Sequence, residues 1–277
     1  MAAATYVEEL FSLTGEVAVV TGGAGVLPGA MAATLLRAGA KVAIWGRGRS
    51  HPVQEATERL LEQTGVESAR LTGVTVDTAD EHAVAGAWEE SVARLGEPTI
   101  LVNGVGGNQG KSAFVDIDVE LFEKVVSMNL LAGLVVPLKL FGRRWMEKSM
   151  EGSVINLASM TSYKALSGVW AYNAAKSAVL NLTEGAAREF APMGIRVNAI
   201  APGFFVGHQN KSLLIKNEES GELTDRGRGI ISRTPRGRFG TVTDIEGATL
   251  FLASRRASGF VTGVTIPVDG GYLVDNI

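Results

Sequence analysis

The sequence predicts an α/β domain built on a mainly parallel β-sheet. Three observations indicate this class. Short apolar or β-branched runs alternate along the chain with segments of helical spacing, which is the pattern of β-α-β units. Each run is almost continuously hydrophobic, as expected of a strand that helices cover on both faces. Glycine is abundant, at 34 of 277 residues, while proline is sparse at 8.

Seven runs are predicted to be strands, and right-handed crossovers between them make the sheet doubly wound, of Rossmann type, with helices on both faces. The runs cover residues 17–21, 41–45, 71–76, 100–103, 153–158, 195–200 and 264–268. Helical spacing separates most of them, for example at Ala30, Ala33, Thr34 and Arg37. Because neither an internal repeat nor a linker interrupts this pattern, residues 1–277 are interpreted as a single domain.

Composition excludes several classes of function. Lysine and arginine total 26 against 29 acidic residues, and the charges are interspersed, so no nucleic-acid partner is predicted. The sequence has no cysteine, which excludes disulfides and thiolate nucleophiles, and the scattered His51, His82 and His208 predict no metal site. No apolar run reaches the length of about 18 residues that a membrane span needs, and Glu8 and Glu9 do not fit a secretion signal. We therefore expect a cytoplasmic protein with no membrane partner.

A glycine-rich turn follows the first predicted strand. It reads Thr21-Gly22-Gly23-Ala24-Gly25-Val26-Leu27-Pro28-Gly29 and leads directly into a helical pattern. A strand, a glycine turn and a helix in this order place backbone amides and the positive end of a helix dipole where a pyrophosphate can bind. Glycine also serves ordinary turns, but this context favours a dinucleotide site.

One segment, residues 207–240, breaks the alternation of strands and helices. It is polar and charged, and it is much longer than the roughly 2–6 residues of an ordinary connection in an α/β unit. A solvated surface insertion and a ligand-covering loop both fit this composition. Because the segment follows a strand end, at the edge where open α/β sheets bind ligands, we interpret it as a substrate lid.

Tyr172 and Lys176 are spaced i, i+4, which places both side chains on one face of a helix. Ser159 ends the preceding predicted strand, and Asn129 lies in the helix before that. Taken singly, the tyrosine is more simply a half-buried helix residue and the serine a turn cap. The four residues in this order point instead to proton transfer.

Several of these positions together resemble the classical short-chain dehydrogenase/reductase family over nearly the whole chain: Thr21-Gly22, Asn129, Ser159, Tyr172, Lys176 and Pro202-Gly203. The glycine-rich turn of that family reads TGxxxGxG. Val26 and Pro28 stand here where its second and third glycines would be. Because proline has no N–H, Pro28 removes one possible phosphate donor, and it is open whether the amides of Leu27 and Gly29 replace it.

The resemblance implies hydride transfer between NAD(P) and a carbonyl or hydroxyl substrate, with Asn129, Ser159, Tyr172 and Lys176 as the catalytic residues. Tyr172 would donate or accept the proton, and the adjacent Lys176 ammonium would lower the pKa of the tyrosine. Ser159 would hydrogen-bond the substrate oxygen. Asn129 would help to hold a proton-relay water near Lys176.

The resemblance also implies the cofactor contacts. Besides Tyr172 and Lys176 they are Thr21, Gly22, Gly25, Leu27, Arg47, Asp77, Asn103, Gly104, Pro202 and Gly203. Members of the family that prefer NAD carry an acidic residue at the end of the second strand, where this chain reads Gly46-Arg47-Gly48-Arg49-Ser50. Guanidinium groups there could pair with the 2′-phosphate of NADP, which is favoured over NAD, although both arginines could equally be exposed loop charges.

The segments expected to line the substrate pocket are polar, which favours a polyhydroxylated or carboxylate substrate over a steroid or an acyl chain. The stretches APGFF, TPRGRFG, PVDGG and LVNGVGGN further resemble the D-mannonate oxidoreductase (fructuronate reductase) branch, so D-fructuronate and D-mannonate are the leading pair. The candidate substrate contacts are Asn108, Ser159, Lys164, Gln209 and Asn210. Alternatives are a gluconate 5-dehydrogenase, a 3-oxoacyl-thioester reductase and a non-catalytic dinucleotide-sensing protein.

Members of this family are commonly tetramers built on two long helices. The corresponding segments here, around residues 122–146 and 170–190, are apolar on more than one side. We therefore expect a homotetramer, although burial within one domain would produce the same pattern.

Overall fold

A computed structural model of the chain describes residues 3–49, 51–207, 211–217 and 220–275. The strands in chain order are β1 Val17–Thr21, β2 Lys41–Gly46, β3 Leu71–Thr75, β4 Ile100–Asn103, β5 Gly152–Leu157, β6 Ile195–Pro202, β7 Ile215–Asn217, β8 Glu222–Leu223 and β9 Thr265–Val268. The α-helices are α1 Ala3–Phe11, α2 Val26–Arg37, α3 Val53–Thr64, α4 Glu81–Leu95, α5 Val119–Val126, α6 Val136–Glu147, α7 Trp170–Phe190, α8 Lys211–Leu214, α9 Asp225–Ile231, α10 Glu246–Ala253 and α11 Arg255–Ser258.

Seven of the strands form one parallel sheet in the order β3-β2-β1-β4-β5-β6-β9, which confirms the predicted doubly wound fold. Thr21 at the end of β1 pairs with Trp45 on one side and Asn103 on the other, and Asn103 pairs in turn with Asn156. The carboxyl ends of the central strands therefore lie level at one edge of the sheet. The order of the strands reverses between β1 and β4, and open α/β sheets bind their ligands in the crevice at such a reversal.

Two hydrophobic cores lie on opposite faces of the sheet. Ala18 and Val20 of β1 belong to the core covered by α2, α3 and α10, whereas Val17 and Val19 belong to the core covered by α4, α6 and α7. The whole of β1 is buried. This burial on both faces explains why the first four residues of β1 are all apolar.

The second core is organised around the ring of Phe141 on α6. Its centroid lies 5.7 Å from that of Trp45, 4.7 Å from that of Trp88 and 5.4 Å from that of Trp145, and all three pairs meet edge to face. The indole N–H of Trp145 donates to the Pro98 carbonyl at 2.6 Å. These contacts fasten α4 and α6 to the face of the sheet that also receives α7.

Between α5 and α6 the chain forms a π-helical stretch, Ser127–Val135, so that Val119–Glu147 is one continuous helix. Within the described residues this is the one helix with the length and hydropathy of a membrane span, although 56% of its most apolar window is buried in the protein. Its contacts are those of a core helix: Leu134, Leu138 and Phe141 pack in the second hydrophobic core.

The structure differs from the sequence prediction mainly after β6. That strand continues to Pro202, two residues further than predicted, because it pairs with β9 as far as Val268. The segment interpreted as a lid contains α8, α9 and an antiparallel hairpin of β7 and β8, none of which was predicted. Gly227 of α9 packs so closely on α8 that a built Cβ would lie 2.2 Å from the Leu214 carbonyl oxygen.

Candidate active site

The glycine-rich turn joins β1 to α2 at the carboxyl edge of the sheet. Gly22 has a left-handed φ of 67°, and a built Cβ would lie 2.9 Å from the carbonyl oxygen of Gly104. Thr21 secures this close approach, since its hydroxyl oxygen accepts a 3.0 Å hydrogen bond from the Gly104 amide. Thr21, Gly22 and Gly104 therefore meet in the crevice between β1 and β4.

Two backbone amides in the first turn of α2 have no hydrogen-bond partner among the described residues: those of Val26 and Leu27. Gly25 is the N-cap and offers no side chain to accept from them. Pro28 has no N–H, and the Gly29 amide donates to the Gly25 carbonyl at 2.8 Å. Gly29 therefore cannot replace the donor that Pro28 lacks, whereas Leu27 can, and Val26 adds a second amide at the positive end of the helix dipole.

Arg47 follows β2, and Asp77 follows β3, on the same edge of the sheet. The Arg47 guanidinium lies 3.9 Å from the Asp77 carboxylate, and both side chains are half-exposed. Asp77 also accepts a hydrogen bond of 3.1 Å from the Ala79 amide. An ion pair this long and this exposed is weak, so the Arg47 guanidinium remains available to a stronger anionic partner.

Tyr172, Ser159 and Lys176 form one cluster at the opposite end of the crevice. Tyr172 and Lys176 lie on the same face of α7, with the lysine Nζ 5.7 Å from the centre of the tyrosine ring. Ser159 follows β5, and its side chain acts on the Tyr172 hydroxyl, whose pKa it lowers. The Ser159 hydroxyl oxygen also accepts a 3.1 Å bond from the Thr161 amide, which orients it.

Burial controls the protonation of this cluster. It raises the pKa of Tyr172, although the hydrogen bond with Ser159 opposes the rise. It lowers the pKa of Lys176 from 10.5 to about 8. The lowering of the Tyr172 pKa by the Lys176 ammonium stays a prediction; in the structure that ammonium donates to the Leu157 carbonyl at 2.6 Å.

Lys176 also lies against the loop that follows β4. A built Cβ on Gly106 would be 3.2 Å from the Lys176 Nζ and 2.6 Å from the Asn129 Oδ1, so a side chain at this position would displace both groups. Gly106 is a site residue that the sequence analysis did not select. The signal for it was the Gly106-Gly107 pair directly after a buried strand.

Asn129 is fully buried in the π-helical stretch and holds the same loop. Its Oδ1 accepts from the Gly107 amide at 3.0 Å, and its Nδ2 donates to the carbonyls of Gly107 at 2.7 Å and Val125 at 2.8 Å. The side chain is thus committed to positioning the loop beside Lys176. Its expected role in holding a relay water stays a prediction.

Two other predicted cofactor positions are closely packed. Asn103 is buried and donates to the Asn156 Oδ1 at 2.9 Å across the sheet. After Pro202, the Gly203 amide donates to the Val268 carbonyl at 3.0 Å.

The predicted substrate residues are dispersed. Asn108 is exposed and its amide group donates to the Gly110 carbonyl at 2.8 Å. The Lys164 ammonium lies 5.6 Å from the centre of the Tyr272 ring and 3.5 Å from the Asp275 carbonyl oxygen, so it faces the C-terminal segment. Gln209 and Asn210 lie outside the described residues.

The lid segment begins beside the glycine-rich turn. A built Cβ on Gly207 would lie 3.4 Å from the Val26 Cγ2, so the base of the lid meets the first residue of α2. Phe205, just before the segment, forms a bridge with Gly240, the last residue of the segment. Both ends of the segment are therefore held at the carboxyl edge.

These residues fit an extended dinucleotide. Arg47 and Asp77 lie to one side of β1, the Val26 and Leu27 amides lie at its end, and Tyr172 lies beyond β4. The Val26 and Leu27 amides, which have no partner among the described residues, test the fit, since an anion at a helix N-terminus would satisfy both. Tyr172 and Ser159 would then bracket a substrate oxygen at the nicotinamide end.

Comparison with known proteins agrees with this geometry. The family model described as "Enoyl-(Acyl carrier protein) reductase" matches residues 27–273. An uncharacterized oxidoreductase, UxuB, of Bacillus subtilis is 39% identical over 277 residues, covering 95% of this chain and 96% of the relative. The 2-dehydro-3-deoxy-D-gluconate 5-dehydrogenase of Bacillus subtilis is 37% identical over 272 residues, covering 97% of this chain and 98% of the relative.

Two solved structures have the same fold. A putative D-mannonate oxidoreductase from Haemophilus influenzae with bound NAD superimposes with a TM-score of 0.85 at 30% identity, covering 98% of this chain and 99% of that one. A gluconate 5-dehydrogenase from Burkholderia cenocepacia in complex with NADP and tartrate gives a TM-score of 0.83 at 29% identity, covering 97% and 99%. Proteins similar to this chain thus bind either NAD or NADP.

Replacing Lys176 by methionine tests the lowered pKa. The wild-type ammonium has a pKa of about 8 in the folded protein and 10.5 in a solvated chain, so between these values the unfolded chain binds more protons. The free energy of unfolding of the wild type should therefore rise relative to Lys176→Met, by about 2 kcal/mol between pH 7 and pH 10. Urea unfolding of both proteins at the two pH values measures this change.

The control for that experiment is Lys124→Met, which removes an exposed ammonium from α5. For this variant the difference from the wild type should be nearly the same at pH 7 and pH 10. If the free energies of unfolding of the wild type and Lys176→Met also differed by the same amount at pH 7 and pH 10, the lowered pKa of Lys176 would be contradicted.

Proposed function

This chain belongs to the short-chain dehydrogenase/reductase family and is an NAD(P)-dependent oxidoreductase, and from that premise we propose that it interconverts a keto sugar acid and the corresponding hydroxy acid. Relatives named as sugar-acid dehydrogenases support this substrate class. The leading pair is D-fructuronate and D-mannonate. The single observation that carries the proposed chemistry is the cluster of Ser159, Tyr172 and Lys176, at the opposite end of the crevice from the glycine-rich turn.

Each member of the cluster has a role in this proposal. NAD(P), when bound, accepts or supplies the hydride. Tyr172 carries the proton that moves to or from the substrate oxygen, and its raised pKa keeps the hydroxyl protonated at neutral pH, which suits donation during reduction of a ketone. Ser159 hydrogen-bonds the same substrate oxygen. Lys176 and Asn129 hold the loop after β4 in a fixed position relative to α7.

We propose the same cofactor contacts that the sequence analysis selected, with the Val26 amide added. The Leu27 and Val26 amides would bind the pyrophosphate, and Lys176 would hold the nicotinamide ribose. Arg47 would pair with a 2′-phosphate, which favours NADP over NAD, because residues 46–49 include no carboxylate that would repel it.

The substrate contacts in this proposal are Asn108, Ser159 and Lys164, together with Gln209 and Asn210 of the lid. We propose that the segment 207–240 covers the substrate as a lid of this single domain. A gluconate 5-dehydrogenase activity is the second candidate, because the similar structure from Burkholderia cenocepacia bears that name and holds tartrate, a polyhydroxylated acid.

We also propose a cytoplasmic homotetramer. The observation that supports assembly is an apolar groove of about 670 Å³ between α6 and α7, lined by Leu134, Leu138, Met146, Leu182 and Phe190. A second copy of the same helices would remove this surface from water.

A substrate panel tests the proposed reaction. We expect the purified protein to reduce D-fructuronate with NADPH or NADH, and to oxidise D-mannonate with NADP⁺ or NAD⁺, with higher kcat/KM than for D-gluconate or for a 3-oxoacyl thioester. Absorbance of the reduced nicotinamide at 340 nm follows all four reactions. Activity confined to apolar ketones or thioesters would overturn the sugar-acid assignment.

Tyr172→Phe tests the proton-transfer role. Removing the hydroxyl should lower kcat by about 10²–10⁴-fold, since no other group would move the proton, while the affinity for NAD(P) stays within a few-fold of the wild type. Steady-state kinetics and nucleotide titration by fluorescence measure the two effects. Tyr6→Phe, on exposed α1, is the matched control and should leave both unchanged. A Tyr172→Phe variant with wild-type turnover would exclude this role.

Arg47→Gln tests the cofactor preference. The wild type should show a higher kcat/KM with NADPH than with NADH. The variant should lose about tenfold or more of that ratio, because a charge-assisted hydrogen bond to the 2′-phosphate is removed. Arg188→Gln, on exposed α7 surface, should keep the wild-type ratio. A wild-type enzyme that preferred NADH would refute the assignment of Arg47.

A further inference from the structure

Lys111, which the sequence analysis did not select, lies in the loop that follows β4, and its side-chain stem packs on Gly168. Gly168 is buried and has a left-handed φ of 85°. A Cβ built there would lie 2.6 Å from the Lys111 Cγ and 2.8 Å from its Cε. Because Gly168 has no side chain, the aliphatic part of the Lys111 side chain can lie directly against its backbone.

Further contacts fasten this loop to the segment that leads into the Tyr172 helix. The Ser112 amide donates to the Gly168 carbonyl at 3.2 Å, and the Trp170 indole N–H donates to the Ser112 carbonyl at 3.1 Å. The rings of Phe114 and Trp170 meet edge to face at 5.4 Å. Lys111 is thus held directly before the first turn of α7, which carries Tyr172.

The other end of the loop is held by the cluster itself. Gly107 is hydrogen-bonded by Asn129, and Gly106 lies against the Lys176 ammonium. The loop therefore runs from the Lys176 end of the cluster to the Tyr172 end within a few residues. Lys111 sits on that short span, with an exposed side chain.

The ammonium of Lys111 has no acidic or hydrogen-bonding partner within the part of the chain that the structure describes. The two other lysines near the cluster are already engaged. Lys176 donates to the Leu157 carbonyl, and Lys164 faces the Tyr272 ring and the Asp275 carbonyl. An ammonium on a packed stem, in the loop that Asn129 and Gly168 hold at its two ends, and without a counter-charge, is suited to binding an anion from solution.

We propose that Lys111 is a specificity-determining residue that binds the carboxylate of the substrate, and that Gly168 positions it. This inference rests on the proposed sugar-acid function. A lysine is a compact cation that forms charge-assisted hydrogen bonds with a carboxylate and offers nothing comparable to a neutral hydroxymethyl group. The residue would thereby select keto acids over the neutral ketoses of the same carbon skeleton.

The test compares Lys111→Gln and Lys111→Arg with the wild type on D-fructuronate, with D-fructose as the neutral ketose. For D-fructuronate, KM should rise about tenfold in Lys111→Gln with little change in kcat, and Lys111→Arg should recover most of the affinity. The KM for the nucleotide should stay unchanged in both variants. Activity on D-fructose, however low, should be unaffected by either substitution.

Two lysine controls sharpen the experiment. Lys124→Gln, on α5 and paired only weakly with Glu120 at 3.9 Å, should behave as the wild type. Lys164→Gln tests the other candidate cation and should raise the KM less than Lys111→Gln. An unchanged KM in Lys111→Gln, or a tenfold rise confined to Lys164→Gln, would overturn the assignment of Lys111.

Gly168→Ala tests the positioning role. The added methyl group would occupy the space of the Lys111 stem, so the KM for D-fructuronate should rise, and the double variant with Lys111→Gln should show no additive effect. Full additivity would overturn this part of the inference. A wild-type protein that reduced no sugar acid would overturn the proposed function, and the inference with it, whereas activity on sugar acids with an unchanged KM in Lys111→Gln would overturn the inference alone.

Discussion

The hydrogen bond from the Lys176 ammonium to the Leu157 carbonyl joins the parts of the structure on which the site depends. It ties α7 to the end of β5, two residues before Ser159, while the lysine nitrogen stays 5.7 Å from the centre of the Tyr172 ring. The same nitrogen lies against Gly106, where a side chain would displace it. One helix, one strand end and one loop thus meet at a single buried nitrogen, and the positions of Ser159 and Tyr172 follow from that junction.

A buried cation is unfavourable for folding, and the lowered pKa of Lys176 expresses this cost. Hydrogen bonds around the lysine hold the neighbouring loop in a fixed position. Asn129 uses both N–H donors and its amide oxygen to hold Gly107 and the Val125 carbonyl, which fixes the loop beside the lysine. A rigid, partly destabilised cluster of this kind is common in sites where proton transfer depends on precise distances.

At the other end of the crevice the chain departs from the glycine pattern of its family and still presents anion-binding groups. Pro28 contributes no N–H, yet its fixed φ suits the start of α2, so the amides of Val26 and Leu27 remain directed at the crevice. Arg47 and Asp77 form only a long, exposed pair. The half-exposed Arg47 guanidinium lies where the second strand ends. The lid begins at Gly207, which packs against Val26.

The sequence by itself determined the seven strands of the main sheet, its parallel doubly wound fold and the pairing of Tyr172 with Lys176. Strand burial leaves a continuous apolar run, and helical spacing places Tyr172 and Lys176 on one face, so both can be inferred locally. Only the tertiary structure decided the direction of the Lys176 ammonium, the commitment of Asn129 to Gly107, the turning of Lys164 toward Tyr272 and the hairpin within the lid. It also placed Lys111 on Gly168, 57 residues later in the chain. These contacts join residues that are distant in sequence. Packing between elements decides which polar group each side chain reaches, and the local periodicity of a sequence does not record that packing.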